Sequence, residues 1–90
     1  MREHEIKPNL QKILKKLLKK DKVAYEAVMK KIVEILENDD IGHYKNLKYI
    51  LKDMKRVHVR SSFVLVFSYD KEKDLVSFLD YDHHDRIYSK

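Results

Sequence analysis

Two apolar stripes at helical spacing, separated by a single aspartate, constrain this chain more than any other feature. Leu10, Ile13, Leu14, Leu17 and Leu18 fall at i, i+3, i+4, i+7 and i+8, with Lys12, Lys15, Lys16, Lys19 and Lys20 between and after them. Ala24, Ala27, Val28, Ile32, Ile35 and Leu36 repeat the pattern between Lys22 and Glu37, and Tyr25, Met29 and Val33 widen it. Asp21 ends the first helix and can cap the second. A connection this short forces the helices antiparallel. The result is a helical hairpin with one shared apolar side, which some other part of the chain has to cover.

The cover is encoded in the second half, where the period changes from helical to two. Arg56, His58 and Arg60 alternate with Val57 and Val59, so a strand over Lys55–Arg60 puts the two arginines and the imidazole on one face. Phe63 to Phe67 is apolar on both faces and predicts a buried strand, Phe63–Tyr69; a third strand is expected over Leu75–Tyr81. Ser61-Ser62 and Asp70 to Asp74 are turns short enough to give an antiparallel meander. His4 and Ile6 fit a short edge strand interrupted by Pro8, with Asn9 as the helix N-cap. Residues 43–54 give mixed signals, since Leu47, Ile50, Leu51 and Met54 have helical spacing. The expected fold class is α+β, a single domain spanning residues 1–90. In it, the N-terminal helical hairpin packs on one face of a small, mainly antiparallel sheet, and the opposite face is left for function.

Charge is distributed unevenly. Lys45, Lys48, Lys52, Lys55, Arg56 and Arg60 stand against Asp53 alone in residues 41–60, whereas acids outnumber bases in residues 61–90. A basic field beside an acidic remainder suits a polyanionic partner or, equally, a solvated lysine-rich face. The absence of cysteine excludes a disulfide scaffold, a zinc ribbon and thiol catalysis. The charged N-terminus and the lack of a long apolar run predict a cytoplasmic protein with no membrane partner.

Five histidines carry the chemical information. No His-x-x-x-His pair lies on a helix, and His83 and His84, adjacent in extended chain, point opposite ways; no metal or cofactor is expected. Acid–base work on a phosphodiester fits better. RNA can be cut by its own 2′-OH if a protein removes that proton, protonates the leaving 5′-oxygen and stabilises the phosphate charge. Histidine suits both proton transfers, and arginine or lysine the third task. His58, His84, Arg56, Arg60, Phe63 and Tyr88 provide this set if the fold gathers them. The plainer alternatives are a solvated His58, Phe63 and Tyr88 as core or rim aromatics, and Asp85 and Arg86 paired with their neighbours.

The order of features resembles the RelE/ParE toxin superfamily over about residues 4 to 88. The features are the helical hairpin, a basic loop, Arg56-Val57-His58-Val59-Arg60-Ser61-Ser62, an apolar strand and the closing His84-Asp85-Arg86-Ile87-Tyr88. The histidines look most like the YafQ branch. That resemblance implies an irregular chain before the first meander strand. It also implies a type II toxin that cleaves mRNA on the ribosome without a metal, held in a hetero-oligomer by a RelB-like antitoxin. By the same likeness His43, His58, His84 and Tyr88 would be catalytic. Arg56, Arg60, Lys55, Lys45, Arg86 and Phe63 would contact RNA or its phosphates. Two positions depart from the pattern: Ser62 stands where YafQ-like toxins have an acid, and Val64 where RelE has an arginine. Either activity is weaker, or lost, or Lys45, Lys55 and Arg86 compensate. Two other functions remain open: a ParE-like toxin that inhibits gyrase without nuclease chemistry, and a basic RNA-binding module.

Overall fold

The computed structural model describes residues 2–44 and 54–89. Its elements run β1 (Glu3–Ile6), α1 (Pro8–Lys20), α2 (Lys22–Glu37), a 3-10 turn (Ile41–His43), β2 (Lys55–Val59), β3 (Phe63–Asp70), β4 (Leu75–His83) and α3 (His84–Tyr88). The strands form one mixed sheet in the order β1-β4-β3-β2. β2, β3 and β4 are the antiparallel meander; β1 lies parallel to β4 at the other edge, with Ile6 opposite Phe78.

Helix boundaries follow from local chemistry. Pro8 opens α1 at a position where its missing N–H costs nothing, so Lys7 rather than Asn9 is the N-cap residue. Asn9 instead donates its side-chain amide to the Leu79 carbonyl and the Asp80 carboxylate, pinning α1 to β4. Asp21 does cap α2, its carboxylate accepting from the Ala24 amide at 3.1 Å.

Leu10, Leu14, Val28, Ile32, Ile35 and Leu36 meet Val59, Leu65, Phe67, Val76, Phe78 and Tyr81 in the main core. Burying each such large side chain is worth ~1.5–3 kcal/mol, so this layer dominates stability. A register shift between Val66 and Phe67 pairs Val66 with Asp80 and Phe67 with Phe78, leaving Leu79 as the extra residue. That bulge keeps both Phe78 and Tyr81 on the helical side although they are three residues apart.

Three local expectations need correction. β4 extends to His83, past the predicted end at Tyr81, and the chain then turns into α3. Ile87 of α3 packs with Val64, Val66, Met54 and Leu79, so the face opposite the hairpin is partly covered. Arg60 is outside β2, with φ of 62°, so the chain leaves strand geometry one residue before the predicted end. The residue 45–53 stretch lies outside the described residues.

Candidate functional site

The meander register decides which side chains share a face. His58 pairs with Val64, which pairs with Asp82; Arg56 pairs with Val66, which pairs with Asp80. These two rows lie on the face away from the helical hairpin, with buried Val64 and Val66 between their polar ends. Ile87 anchors α3 on the same valines. At the far end of β4 the His84 amide donates to the Ser62 carbonyl at 2.9 Å, and His83 caps α3, its Nδ1 accepting from the Asp85 amide. The chain therefore turns sharply at His83 and brings residues 84–88 back over β3 toward β2.

That turn builds one constellation. The His58 and His84 rings lie 6.5 Å apart, the His84 and Tyr88 rings 6.4 Å apart, and the Arg56 guanidinium sits 5.3 Å from the centre of the Tyr88 ring. His84 and Tyr88 are one helical turn apart, which puts them on the same side of α3. The cation–π contact holds the Arg56 guanidinium beside the Tyr88 ring. His58 and Tyr88 are exposed and His84 is half-buried, so the site is open.

Asp85, expected only to pair with a neighbour, supplies an acidic partner for His84. Its Oδ1 lies 2.9 Å from His84 Nδ1, and its Oδ2 lies 3.7 Å from His83 Nδ1. A carboxylate on Nδ1 fixes the imidazole orientation and leaves Nε2 for proton transfer. Only the strand-to-helix break at His83 makes this contact, so the signal in sequence is a His-His-Asp run straddling an element boundary. The same break overturns the expectation that His83 and His84 diverge: their rings lie 4.4 Å apart.

The other candidates lie at the margins of this constellation or away from it. Phe63 shares its row with Val59 and His83, stacks on Tyr81 at 5.2 Å and meets the His83 ring edge-on at 5.6 Å. Arg60 lies near Tyr81, whose hydroxyl is pushed up by burial, with Arg60 pulling it down and Asp21 raising it. Lys55 belongs to the Phe67 row and donates to the Tyr44 carbonyl at 3.3 Å. His43 contacts the Asp40 carbonyl and lies against the Tyr44 ring at 4.1 Å, away from the histidine pair. Arg86 is close to the site but is paired with Asp82 at 2.8 Å. Lys45 lies outside the described residues.

No family model matches the chain. It is 53% identical over 90 residues to the Methanocaldococcus jannaschii protein named "Putative toxin RelE4", covering 100% of this chain and 94% of that one. An uncharacterized protein of Methanosarcina mazei is 48% identical over 84 residues, covering 93% and 95%. Among solved structures, the intact Escherichia coli RelBE toxin–antitoxin complex matches with a TM-score of 0.71 at 26% identity, covering 92% of this chain and 96% of that one. Escherichia coli YafQ matches with a TM-score of 0.66 at 18% identity, covering 98% and 99%, a likeness of fold. With a full-length relative at that identity and the same sheet and helices in solved toxins, the chain belongs to the RelE toxin family.

Proposed function

We propose that this chain is the toxin of a RelBE-type toxin–antitoxin pair and acts as an endoribonuclease on mRNA at the ribosome, without a metal. The observation that carries the reading is the pair of imidazoles 6.5 Å apart on a face that also presents Arg56 and Tyr88. One imidazole takes the proton of the RNA 2′-OH as it attacks the adjacent phosphorus. The other protonates the 5′-oxygen that leaves, so the proton balance closes within the site. Asp85 orients His84, and Arg56 faces the non-bridging oxygens. Tyr88 offers a ring on which a base can stack, holding the 2′-OH in line. The absent charges at Ser62 and Val64 are offset by Asp85 and Arg56.

A RelB-like antitoxin is the partner, as in the RelBE complex whose toxin has this fold. The deciding experiment is primer extension on a translated mRNA with wild type, His84→Ala and His58→Ala. Discrete cleavage by wild type that is lost in both variants supports the reading; equal cleavage by all three removes it.

A further inference from the structure

We propose that His83, His84 and Asp85 form a binding site for one divalent transition-metal ion of the zinc class, and that filling it switches off His84. One donor atom from each of the three lies within 4.8 Å of the others. On a tetrahedral shell with metal–nitrogen and metal–oxygen bonds of ~2.0–2.2 Å, donor atoms sit about 3.3–3.5 Å apart. The Asp85 carboxylate already approaches both imidazoles on that scale, its Oδ1 lying 2.9 Å from His84 Nδ1 and its Oδ2 3.7 Å from His83 Nδ1. Small side-chain rotations close the set. Two imidazoles and one carboxylate select zinc, nickel or copper over magnesium and calcium, and three protein ligands leave a fourth position for water.

Metal and catalysis compete for the same imidazole: the metal takes Nδ1 of His84, while proton transfer needs Nε2 of a ring that Asp85 holds in place. In the metal-free site Nδ1 of His84 lies 2.9 Å from Asp85 Oδ1, within hydrogen-bond reach. A bound cation takes the place of a proton on Nδ1, which goes to solvent, and Asp85 turns from the imidazole to the metal. His84 is then fixed as a ligand and no longer matched to His58. His83 Nδ1 must also give up the bond it accepts from the Asp85 amide, which loosens the first turn of α3. This cost, with ligand side chains that are 34%, 38% and 78% exposed, sets the affinity in the regulatory range rather than that of a structural zinc. The binding stands on geometry alone; the switching rests on the endoribonuclease reading above.

The test is calorimetric titration of the full chain with zinc sulfate, with the imidazole resonances followed by NMR. Expected are one saturable site tighter than about 100 µM, shifts in the His83 and His84 rings, and affinity lowered roughly 10- to 100-fold by His83→Asn or Asp85→Asn. His43→Asn should leave binding unchanged. Absence of saturable binding in that range, or binding indifferent to His83→Asn and Asp85→Asn, overturns the site. Asn at position 83 still caps a helix, so this variant should cleave RNA like wild type while escaping zinc inhibition that EDTA reverses in wild type. Zinc bound at these residues with cleavage unaffected overturns the switch. If wild type cleaves no RNA, the titration still decides the site, and only the proposed function fails.

Discussion

The two ends of the β3–β4 pair both gather charged and aromatic side chains, but they use them differently. At the Leu75 end, Arg2 donates to Asp74 at 2.9 Å and to the carbonyls of Leu36, Asn38 and Asp39, while the Tyr69 hydroxyl donates to the same carboxylate at 2.6 Å. Its guanidinium also lies 5.8 Å from the centre of the Tyr69 ring. These bonds tie the N-terminus to the end of α2 and to the β3–β4 turn. At the His83 end, the His58 ring meets only the His84 ring among the described residues, and the Asp85 carboxylate lies against the His84 imidazole. A saturated network spends its polar groups on holding the chain together; the open one keeps donors and acceptors available for a ligand. The first end should therefore govern stability and the second activity.

The hardest test of that division is His84→Ala. Loss of one acid–base group should lower RNA cleavage by about 10²–10⁴-fold, with the thermal midpoint unchanged. Primer extension and a melting curve on the same preparation check both halves. A variant that melts early and cleaves normally would break the comparison.

Ile87→Ala should cross the boundary, because this side chain is 2% exposed and anchors α3 on Val64 and Val66. Removing it should cost about 2–5 kcal/mol in urea denaturation if the cavity does not collapse. Cleavage should fall with it, since His84, Asp85 and Tyr88 all ride on that helix.

How much of this was legible in the sequence follows from the range of each determinant. The hairpin and the meander were readable because the stripe from Leu10 to Leu18 and the alternation from Arg56 to Val59 are local patterns that burial rewards directly. The mixed-sheet edge was readable only as His4 and Ile6 at strand spacing, since its parallel partner lies some seventy residues away. The site was half legible. Arg56, His58, His84 and Tyr88 converge, but alternation alone misplaces Arg60, whose backbone turns left-handed, and cannot say that Phe63 stacks on Tyr81. Asp85 was legible only as a residue that pairs with a neighbour, because the helix start that sets it on the His84 imidazole does not show in the residue pattern.

Asp85→Asn sharpens the comparison from within the open end. Asparagine keeps the shape but loses the charge that orients and supports the His84 imidazole. Cleavage should drop about 10-fold, the range seen for loss of an orienting partner, while melting is unchanged. Single-turnover cleavage against RNA concentration separates the effects: the rate constant should fall and the half-saturating concentration should hold.

The smallest effect belongs to the saturated end. Asp74 is held below the ordinary aspartate value of 3.8, first by the hydroxyl of Tyr69 and then, against the opposing effect of desolvation, by Arg2. A carboxyl whose folded-state value is depressed stabilises the fold above its unfolded value, and that contribution disappears as pH falls through the folded one. The loss should therefore fall in the acid range, centred below pH 3.8. Glu5, lowered by Lys7 and Ser77, titrates in the same direction and is the background against which Asp74 must be read. Asp74→Asn should lower the melting midpoint by a few degrees at neutral pH, because the group is exposed and solvent screens its pairing. It should also flatten the dependence of the midpoint on pH in the acid range below 3.8, where wild type loses the Asp74 charge and the variant has none to lose. RNA cleavage should be untouched. If cleavage falls with Asp74→Asn while the midpoint holds, the closed network at this end is serving the open one, and the division of labour along β4 fails.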